Sequence, residues 1–533
     1  MPAWVVSARE SAERDRAAIE RGTPSRVLMQ RAGVAAAEVI SRRYPERLRS
    51  GAVVFTGPGN NGGDGWVVAG TLARSGVAVT VIEAAKATPA KSPDAVAERE
   101  AAIGSVKLAD SVDDGALFVI DALLGTGFEG EPRGKIGEAI ATINELHRRG
   151  AHVAALDVPS GLDATTGQHS ACVVADDTFS FGAVKRGSLL ARDCCGTIMA
   201  LDIGLYDSPA GSGVGILNPA AIRTTASSER DMALLPLPVL VDGAWVESRV
   251  PAIRYDAHKG TRKHLAVVGG GRGMPGAVVL AARAALRSGV GLVRVLVASA
   301  NVSPVLAAVP SALITDWPSS ENQIEAEISK WADAIVIGPG LGKSAETRSL
   351  VERILGGSKL PVLLDADALN VFDDDTKSLA RLLEGRQALI TPHAAEFARL
   401  ARTDVKTVLA ARFEIGVDLA RELGATVLLK GSPTVIFTPD GERFVVARGT
   451  AALGTGGSGD LLDGIAGTLL AQTQHATIAG GCAAWMHGRA AEFCEYVRGT
   501  TLEDVLYALP RAWNEIEPGA ERPVLAELPA VAR

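Results

Sequence analysis

Three stretches of this sequence place chemically useful side chains directly after short apolar runs. After Ala52-Val53-Val54-Phe55 comes Gly57-Pro58-Gly59-Asn60-Asn61-Gly62-Gly63-Asp64-Gly65, after Ile120 comes Asp121, and after Leu156 comes Asp157-Val158-Pro159-Ser160. Amide oxygens, carboxylates and a hydroxyl converging at one sheet edge suit a hard cation better than a soft one. Glycines ahead of a helix leave backbone amides open to an anion, although Asp64 would repel a bare phosphate. A single Asn or Asp after a strand is most often a turn or capping residue. Three such signals on three strands favour a site. Farther along, five glycines between Gly449 and Gly459 precede Asp460, and Leu461, Ile465 and Leu469 follow at helical spacing. Such a loop offers amides to a transferring phosphoryl group and a carboxylate base to the accepting hydroxyl. Phosphoryl transfer fits it better than a mere N-capping Asp behind a turn.

The elements that must position these groups follow from periodicity. From Gly51 onward, Ala52–Phe55, Val77–Ile82, Leu117–Ile120 and Val153–Leu156 alternate with longer helical patterns, which predicts a parallel sheet covered on both faces. Ligands of such sheets bind beyond the carboxyl ends of the strands, where the polar groups stand. Two helices, around Ala8–Ile19 and Val27–Ser41, are expected to pack against it. Between about Asp207 and His258 prolines break the pattern, and alternation restarts at His264–Val268, Leu292–Val297, Ala334–Ile337, Pro361–Leu364, Ala388–Ile390 and Thr426–Leu429. Thr434–Phe437 and Arg443–Val446, around Pro439-Asp440-Gly441, read as an added hairpin. The expectation is two α/β domains, 1–215 and 255–533, joined by a linker over 216–254.

Two motifs in the second half imitate known loops. Gly271-Arg272-Gly273-Met274-Pro275-Gly276 satisfies G-x-G-x-x-G, but the next strand ends without an acidic residue for a ribose, and Pro275 stands where the helix has to start. Gly338-Pro339-Gly340-Leu341-Gly342-Lys343-Ser344 resembles a Walker A loop with its first glycine missing. Both readings are rejected.

Composition narrows the remaining classes. The 533 residues are 47% hydrophobic and 22% charged with net charge −7, which excludes a mostly disordered chain and a general basic field for nucleic acid. Five cysteines form no C-x-x-C pair, so neither a disulfide framework nor a zinc site is expected. No signal-peptide core or membrane-length apolar stretch is legible, and the expected location is the cytoplasm.

Gly59–Gly65, Asp121–Gly127 and Asp157–Asp163 together resemble the NAD(P)H-hydrate epimerase domain, over about Ser7 to Leu205. The sequence departs from that family at Gln30, where an acidic residue is usual. The resemblance implies a Rossmann-like doubly wound sheet and a potassium ion held by Asn61, Asp121 and Ser160. It implies contacts to the hydrated nucleotide from Asn60, Asn61, Gly62, Gly63 and Asp64, from Gly125, Thr126, Gly127, Phe128, Glu129, Gly130 and Glu131, and from Asp157. Asp157 is the expected proton-transfer group, since epimerisation by loss of water or by ring opening needs an acid or base.

The loop ending at Asp460 resembles that of ribokinase-like kinases. His258-Lys259-Gly260, Gly269–Ala277, Gly338–Gly342, Asp365–Asn370, Thr391–Glu396 and Lys430–Thr434 narrow the resemblance to the ADP-dependent NAD(P)H-hydrate dehydratase domain, over about Tyr255 to Trp513. It implies a ribokinase-like α/β/α fold, with Ala277, Gly340, His393 and Asp460 contacting the hydrate. Lys430, Gly431, Ser432, Pro433, Thr434 and Gly459 would contact ADP, which binds with magnesium. Asp365 and Asp367 are read either as substrate contacts or as strand-end and capping groups, and are not counted in the site.

The implied activity is epimerisation of R and S NAD(P)H hydrates and ADP-dependent dehydration of the S form to NAD(P)H, giving AMP and phosphate. Hydroxide is a poor leaving group, and phosphorylation of the ring hydroxyl by way of Asp460 would convert it to phosphate. The rival reading is a ribokinase-like small-molecule kinase fused to a non-catalytic nucleotide-binding domain. Small-molecule substrates, no nucleic acid, no membrane and a homo-oligomer are expected.

Overall fold

The computed structural model describes residues 2–112, 117–205, 235–317 and 324–531, which form two compact α/β units. The first holds an eight-stranded sheet in the order Val524–Leu528, Thr197–Leu201, Asp177–Phe181, His152–Leu156, Phe118–Ala122, Ala52–Thr56, Val79–Glu83, Lys107–Leu108. All neighbours run parallel except Val524–Leu528, which is antiparallel to Thr197–Leu201. The five residues of Ala52–Thr56 and of Phe118–Ala122 are all buried, so these strands carry no polar alternation. After Ala52–Thr56 the chain builds one side of the sheet and then returns to build the other from Phe118–Ala122. The crevice between these two strands is the topological switch point.

Helix Ala8–Glu20 starts at a capping box in which Ser7 and Glu10 satisfy each other's backbone amides. Helix Ser25–Arg43 buries Leu28, Ala32, Ala36, Val39 and Ile40 against the sheet core, as its spacing predicts.

The second unit holds ten strands in the order Val239–Leu240, Arg443–Val446, Thr434–Phe437, Thr426–Leu429, Ala388–Ile390, Val362–Leu364, Ala334–Ile337, His264–Val268, Leu292–Val297, Leu313–Asp316. The expected hairpin is present and antiparallel, and Thr426–Leu429 pairs antiparallel with it. Here the switch point lies between His264–Val268 and Ala334–Ile337. The core is completed by helices Pro275–Arg287, Ser458–Thr473 and Ala476–Glu492. The first two approach closely because Gly464 has no side chain: a β-carbon there would lie 2.1 Å from the Ala281 carbonyl oxygen. Trp485 is fully buried in this core, which is worth roughly 2–3 kcal/mol for a side chain of that size.

Three sequence expectations are corrected. Residues 519–531 belong to the first unit, so the second does not run unbroken over 255–533. Val524–Leu528 offers inward apolar residues at every second position and covers an otherwise open edge. Within the expected linker 216–254, residues 235–254 carry strand Val239–Leu240 and helix Gly243–Glu247 of the second unit; the rest of that linker lies outside the described residues. Finally, Pro275 is no obstacle to a helix, since it opens one at the first position, where its missing amide costs nothing. Among the described residues no helix is long and apolar enough to cross a membrane.

Candidate active sites

The first site is built on the switch-point crevice of the first unit. Gly57 donates its amide to the Ala122 carbonyl at 3.0 Å, and helix Asn60–Arg74 begins immediately beyond. Gly62 packs on the Gly57 carbonyl, where a β-carbon would clash at 2.0 Å. Asn61 Nδ2 donates to the Leu124 carbonyl at 2.8 Å. The same carbonyl accepts from Ser160 Oγ at 3.2 Å, and Ser160 Oγ also lies 2.6 Å from Asp121 Oδ1. The Ser160 amide binds the other Asp121 oxygen at 2.8 Å. Ser160 therefore links Asp121 to the Leu124 carbonyl that Asn61 also binds. Burial pushes the Asp121 carboxyl up to about 6 despite its hydrogen bonds to Ser160 and Leu123. Asn61 Oδ1 and Thr56 Oγ1 are buried with no hydrogen-bond partner and are oxygen donors of the kind a hard cation takes.

Asp157 follows strand His152–Leu156 with φ of 65°, a left-handed conformation uncommon for a residue with a side chain. Its amide donates to the Phe179 carbonyl at 2.8 Å. Its Oδ1 accepts from the Phe181 amide at 3.2 Å and is ion-paired with Lys185. Lys185 is 1% exposed and also donates to the Phe181 carbonyl at 2.8 Å. Burial raises the carboxyls of Asp64 and Asp15, the negative charge of Asp157 raises both further, and Lys185 opposes. Asp15, Asp64, Asp157 and Lys185 thus share one electrostatic neighbourhood. Sequence reading missed Asp15 and Lys185. A lysine ending the apolar run through Val184 was the available signal.

The remaining expected residues of this unit are less gathered. Asn60 is exposed at the first helical position, and Gly63 is buried against Met29. Gly125 touches Asn61, and the Phe128 amide closes a turn onto the Gly125 carbonyl at 3.1 Å. Thr126 is half-buried, whereas Gly127, Glu129, Gly130 and Glu131 lead outward into solvent. At the departure position, Gln30 and Arg26 each donate to Glu98 at 2.7 Å, so a carboxylate reaches this place from another helix.

In the second unit, Gly270 and Gly271 donate to the carbonyls of Pro339 and Gly340 at 2.8 and 2.6 Å, joining the two loops of the switch point. Ala277 and Gly340 meet there, a β-carbon on Gly340 lying 3.1 Å from that of Ala277. Asp367 accepts the Gly342 amide at 2.8 Å and so anchors the Gly338–Gly342 loop.

Across the sheet edge, Lys430 Nζ lies 2.7 and 2.9 Å from the two oxygens of Asp365. Burial by itself would push the Lys430 ammonium down, but the carboxylates of Asp365, Asp463 and Glu396 outweigh it and raise it. Gly459, in the first turn of helix Ser458–Thr473, leaves room for this pair: a β-carbon would sit 3.3 Å from Lys430 Nζ and 3.4 Å from Asp365 Oδ2. Asp460 follows it, its carboxyl raised to about 6 by burial and by Asp365, against Lys430. One turn on, burial and Asp365 hold the fully buried Asp463 well above the usual carboxylate range. His487, beside Ser458 Oγ at 3.4 Å, is lowered to about 4 by burial and stays neutral.

The turn Gly431-Ser432-Pro433-Thr434 is held from behind by Arg412, which donates to the Pro433 carbonyl at 3.0 Å. Gly431 and Ser432 face solvent. His393 is the N-cap of helix Ala394–Leu400, its Nδ1 accepting from Ala395 and Glu396 at 3.1 and 3.3 Å. It stands next to Pro392, whose carbonyl accepts the Lys430 amide at 2.9 Å, which puts it at the same edge. Sequence reading set Asp365 aside and missed Asp463; a second carboxylate three residues after Asp460 on an apolar helix was the signal.

Comparison with known proteins agrees with this division. Residues 265–511 match a family described as NAD(P)H-hydrate dehydratase, and residues 25–187 match one described as YjeF-related protein N-terminus. The chain is 33% identical to the bifunctional NAD(P)H-hydrate repair enzyme Nnr of Moorella thermoacetica, over 98% of this chain and 99% of that protein. It is 33% identical to the Nnr enzyme of Escherichia coli, over 91% of this chain and 89% of that one. Among solved structures, an ADP/ATP-dependent NAD(P)H-hydrate dehydratase from Bacillus subtilis, co-crystallized with ATP and Mg2+, is 26% identical with a TM-score of 0.45, covering 53% of this chain and 99% of that one.

Proposed function

The chain belongs to the family of bifunctional NAD(P)H-hydrate repair enzymes and repairs hydrated NAD(P)H by epimerisation and ADP-dependent dehydration; on that premise we propose which of its residues carry each step. In the second domain Asp460 is the general base. The ring hydroxyl oxygen of the S hydrate attacks the terminal phosphorus of ADP, its proton passes to Asp460, and AMP leaves. Cleavage of the carbon–oxygen bond then releases phosphate, and loss of a proton from the neighbouring ring carbon restores the dihydronicotinamide. Ala277, Gly340 and His393 position the hydrate, and Gly431 to Thr434 with Gly459 hold the nucleotide, which enters as its magnesium complex. Lys430, oriented by Asp365, supplies positive charge to its phosphates.

The observation carrying this reading is the contact of Gly459 with the Lys430–Asp365 pair immediately before Asp460. It sets a base and a cation side by side at the start of a helix.

In the first domain Asp157, held in place by Lys185, moves the proton at the substrate hydroxyl that reversible loss of water or ring opening requires, while burial of Asp64 favours its neutral, proton-donating form. Asn60 to Asp64 and Gly125 to Glu131 bind the hydrate. Asn61, Asp121 and Ser160 hold potassium, a fit supported by the orphaned Asn61 Oδ1. A bound potassium ion would supply positive charge beside the first turn of helix Asn60–Arg74.

The test follows NADH near-ultraviolet absorbance from an R/S hydrate mixture, with ADP or ATP, in potassium or sodium buffer. Full recovery with ADP is expected. Recovery that stops at the S fraction would reduce the first domain to a binding module, and a stable phosphorylated product would make the second a kinase.

A further inference from the structure

Outside both sites, the first domain gathers three soft ligand atoms from two separate segments. Cys172 and His169 lie on the loop that precedes strand Asp177–Phe181, and Cys194 ends the helical turn Arg192–Cys194 before strand Thr197–Leu201. Their Sγ, Nε2 and Sγ atoms all fall within 4.8 Å of one another. The two sulfurs are 3.0 Å apart, and Cys194 Sγ is 3.7 Å from His169 Nε2. Both thiols are 7% exposed, whereas His169 faces solvent.

The histidine supplies a second, independent observation. Its Nδ1 lies 3.0 Å from the Gly167 carbonyl, so that nitrogen carries the proton and Nε2 presents its lone pair to the sulfur pair. This is how a metal-ligating imidazole is usually oriented.

We propose that His169, Cys172 and Cys194 bind one zinc ion. Two thiolates and an imidazole are the donors such an ion selects, and at bond lengths of about 2.0–2.3 Å they stand roughly 3.5 Å apart. Rotation of one cysteine side chain opens the sulfur pair to that span. Each thiol gives its proton to solvent as its sulfur bonds the metal, and water completes the fourth position beside exposed His169. No fourth histidine, cysteine or acidic ligand joins the group among the described residues.

The ion fastens two segments that meet through a backbone hydrogen bond from Ala175 to Cys194, at 2.9 Å. The same loop packs on the potassium-site segment: the Val173 amide donates to the Ser160 carbonyl at 2.9 Å, and Gly161 lies against Ala171 and Cys172. The absence of a C-x-x-C pair hid this group, since its ligands join only when the two segments fold together.

The test uses the full chain, reduced and freed of metal, titrated with zinc against a chromophoric chelator and with cadmium to read thiolate-to-metal charge transfer. One equivalent with a thiolate band is expected. His169→Ala, an exposed position that cannot unfold the core, should weaken zinc binding by more than the ~10- to 100-fold that a lost supporting contact brings, and Cys172→Ser should remove the band. Wild-type affinity no higher than that of His169→Ala overturns the proposal. So does formation of a Cys172–Cys194 disulfide with oxidised glutathione at a rate that zinc does not slow.

Discussion

Lys430 Nζ bridges both carboxylate oxygens of Asp365, at 2.7 and 2.9 Å, although the two residues are 65 positions apart and close two different strands. The lysine is therefore oriented before any nucleotide arrives. Asp365→Asn should lower the dehydration kcat by roughly 10- to 100-fold through loss of that orientation. Because the Asp365 charge helps raise Asp460, the acid limb of the rate profile should also move to lower pH. A loss of kcat with an unmoved acid limb would contradict the electrostatic link.

The base role proposed for Asp460 requires its ionised form. With its carboxyl raised to about 6, dehydration should fall about tenfold per pH unit below that value and level off above it. The stability effect has the opposite direction. A carboxyl whose folded pKa lies above its unfolded one stabilises the fold at low pH, and that contribution is lost as pH rises through about 6. Asp460→Asn should thus abolish dehydration while stabilising the domain at pH 8 by up to about 3 kcal/mol, with the gain fading in acid. Thermal melts at the two pH values check it.

Lys185→Met would leave Asp157 without its cation, facing Asp15 and Asp64. Breaking one side of a buried pair costs about 3–5 kcal/mol, and epimerisation should disappear with it. Asp157→Asn leaves the buried Lys185 ammonium without its partner, so it should carry a comparable stability cost and slow epimerisation by roughly 10²- to 10⁴-fold. Both variants should still dehydrate pure S hydrate, assayed with ADP.

Replacing potassium by sodium should slow consumption of the R epimer and leave dehydration of the S epimer unchanged. Asn61→Ala should remove that cation response. Ser160→Ala should in addition destabilise the first domain by about 1–3 kcal/mol, because the buried Asp121 carboxylate and the Leu124 amide lose a partner. Calorimetry of the two transitions separates the effects.

Much of this was legible along the chain. The β-branched runs that became Ala52–Thr56, Phe118–Ala122 and Ala334–Ile337 announce buried parallel strands because a strand covered on both faces must be apolar throughout. The polar residues just beyond them mark the ligand edge for the same topological reason. Strands Asp177–Phe181 and Leu313–Asp316 escaped notice: the first carries Asp, Thr and Ser in a fully buried run, and the second is half-buried at an edge. Their pairing partners, not their periodicity, make them strands.

By itself, then, the sequence determined the local devices: the glycine loop that ends at Asp460, the Asn61–Asp64 helix start, and the order of strands and helices that puts both at a sheet edge. Only the tertiary structure decided which charges compensate one another. Lys185 meets Asp157, Lys430 meets Asp365, and Cys172 meets Cys194 across intervening strands, while Val524–Leu528 returns to a sheet begun some hundreds of residues earlier. Such partners carry no periodic signal, since burial of the whole core brings them together, and a buried charge is tolerated only where that packing supplies its counterpart.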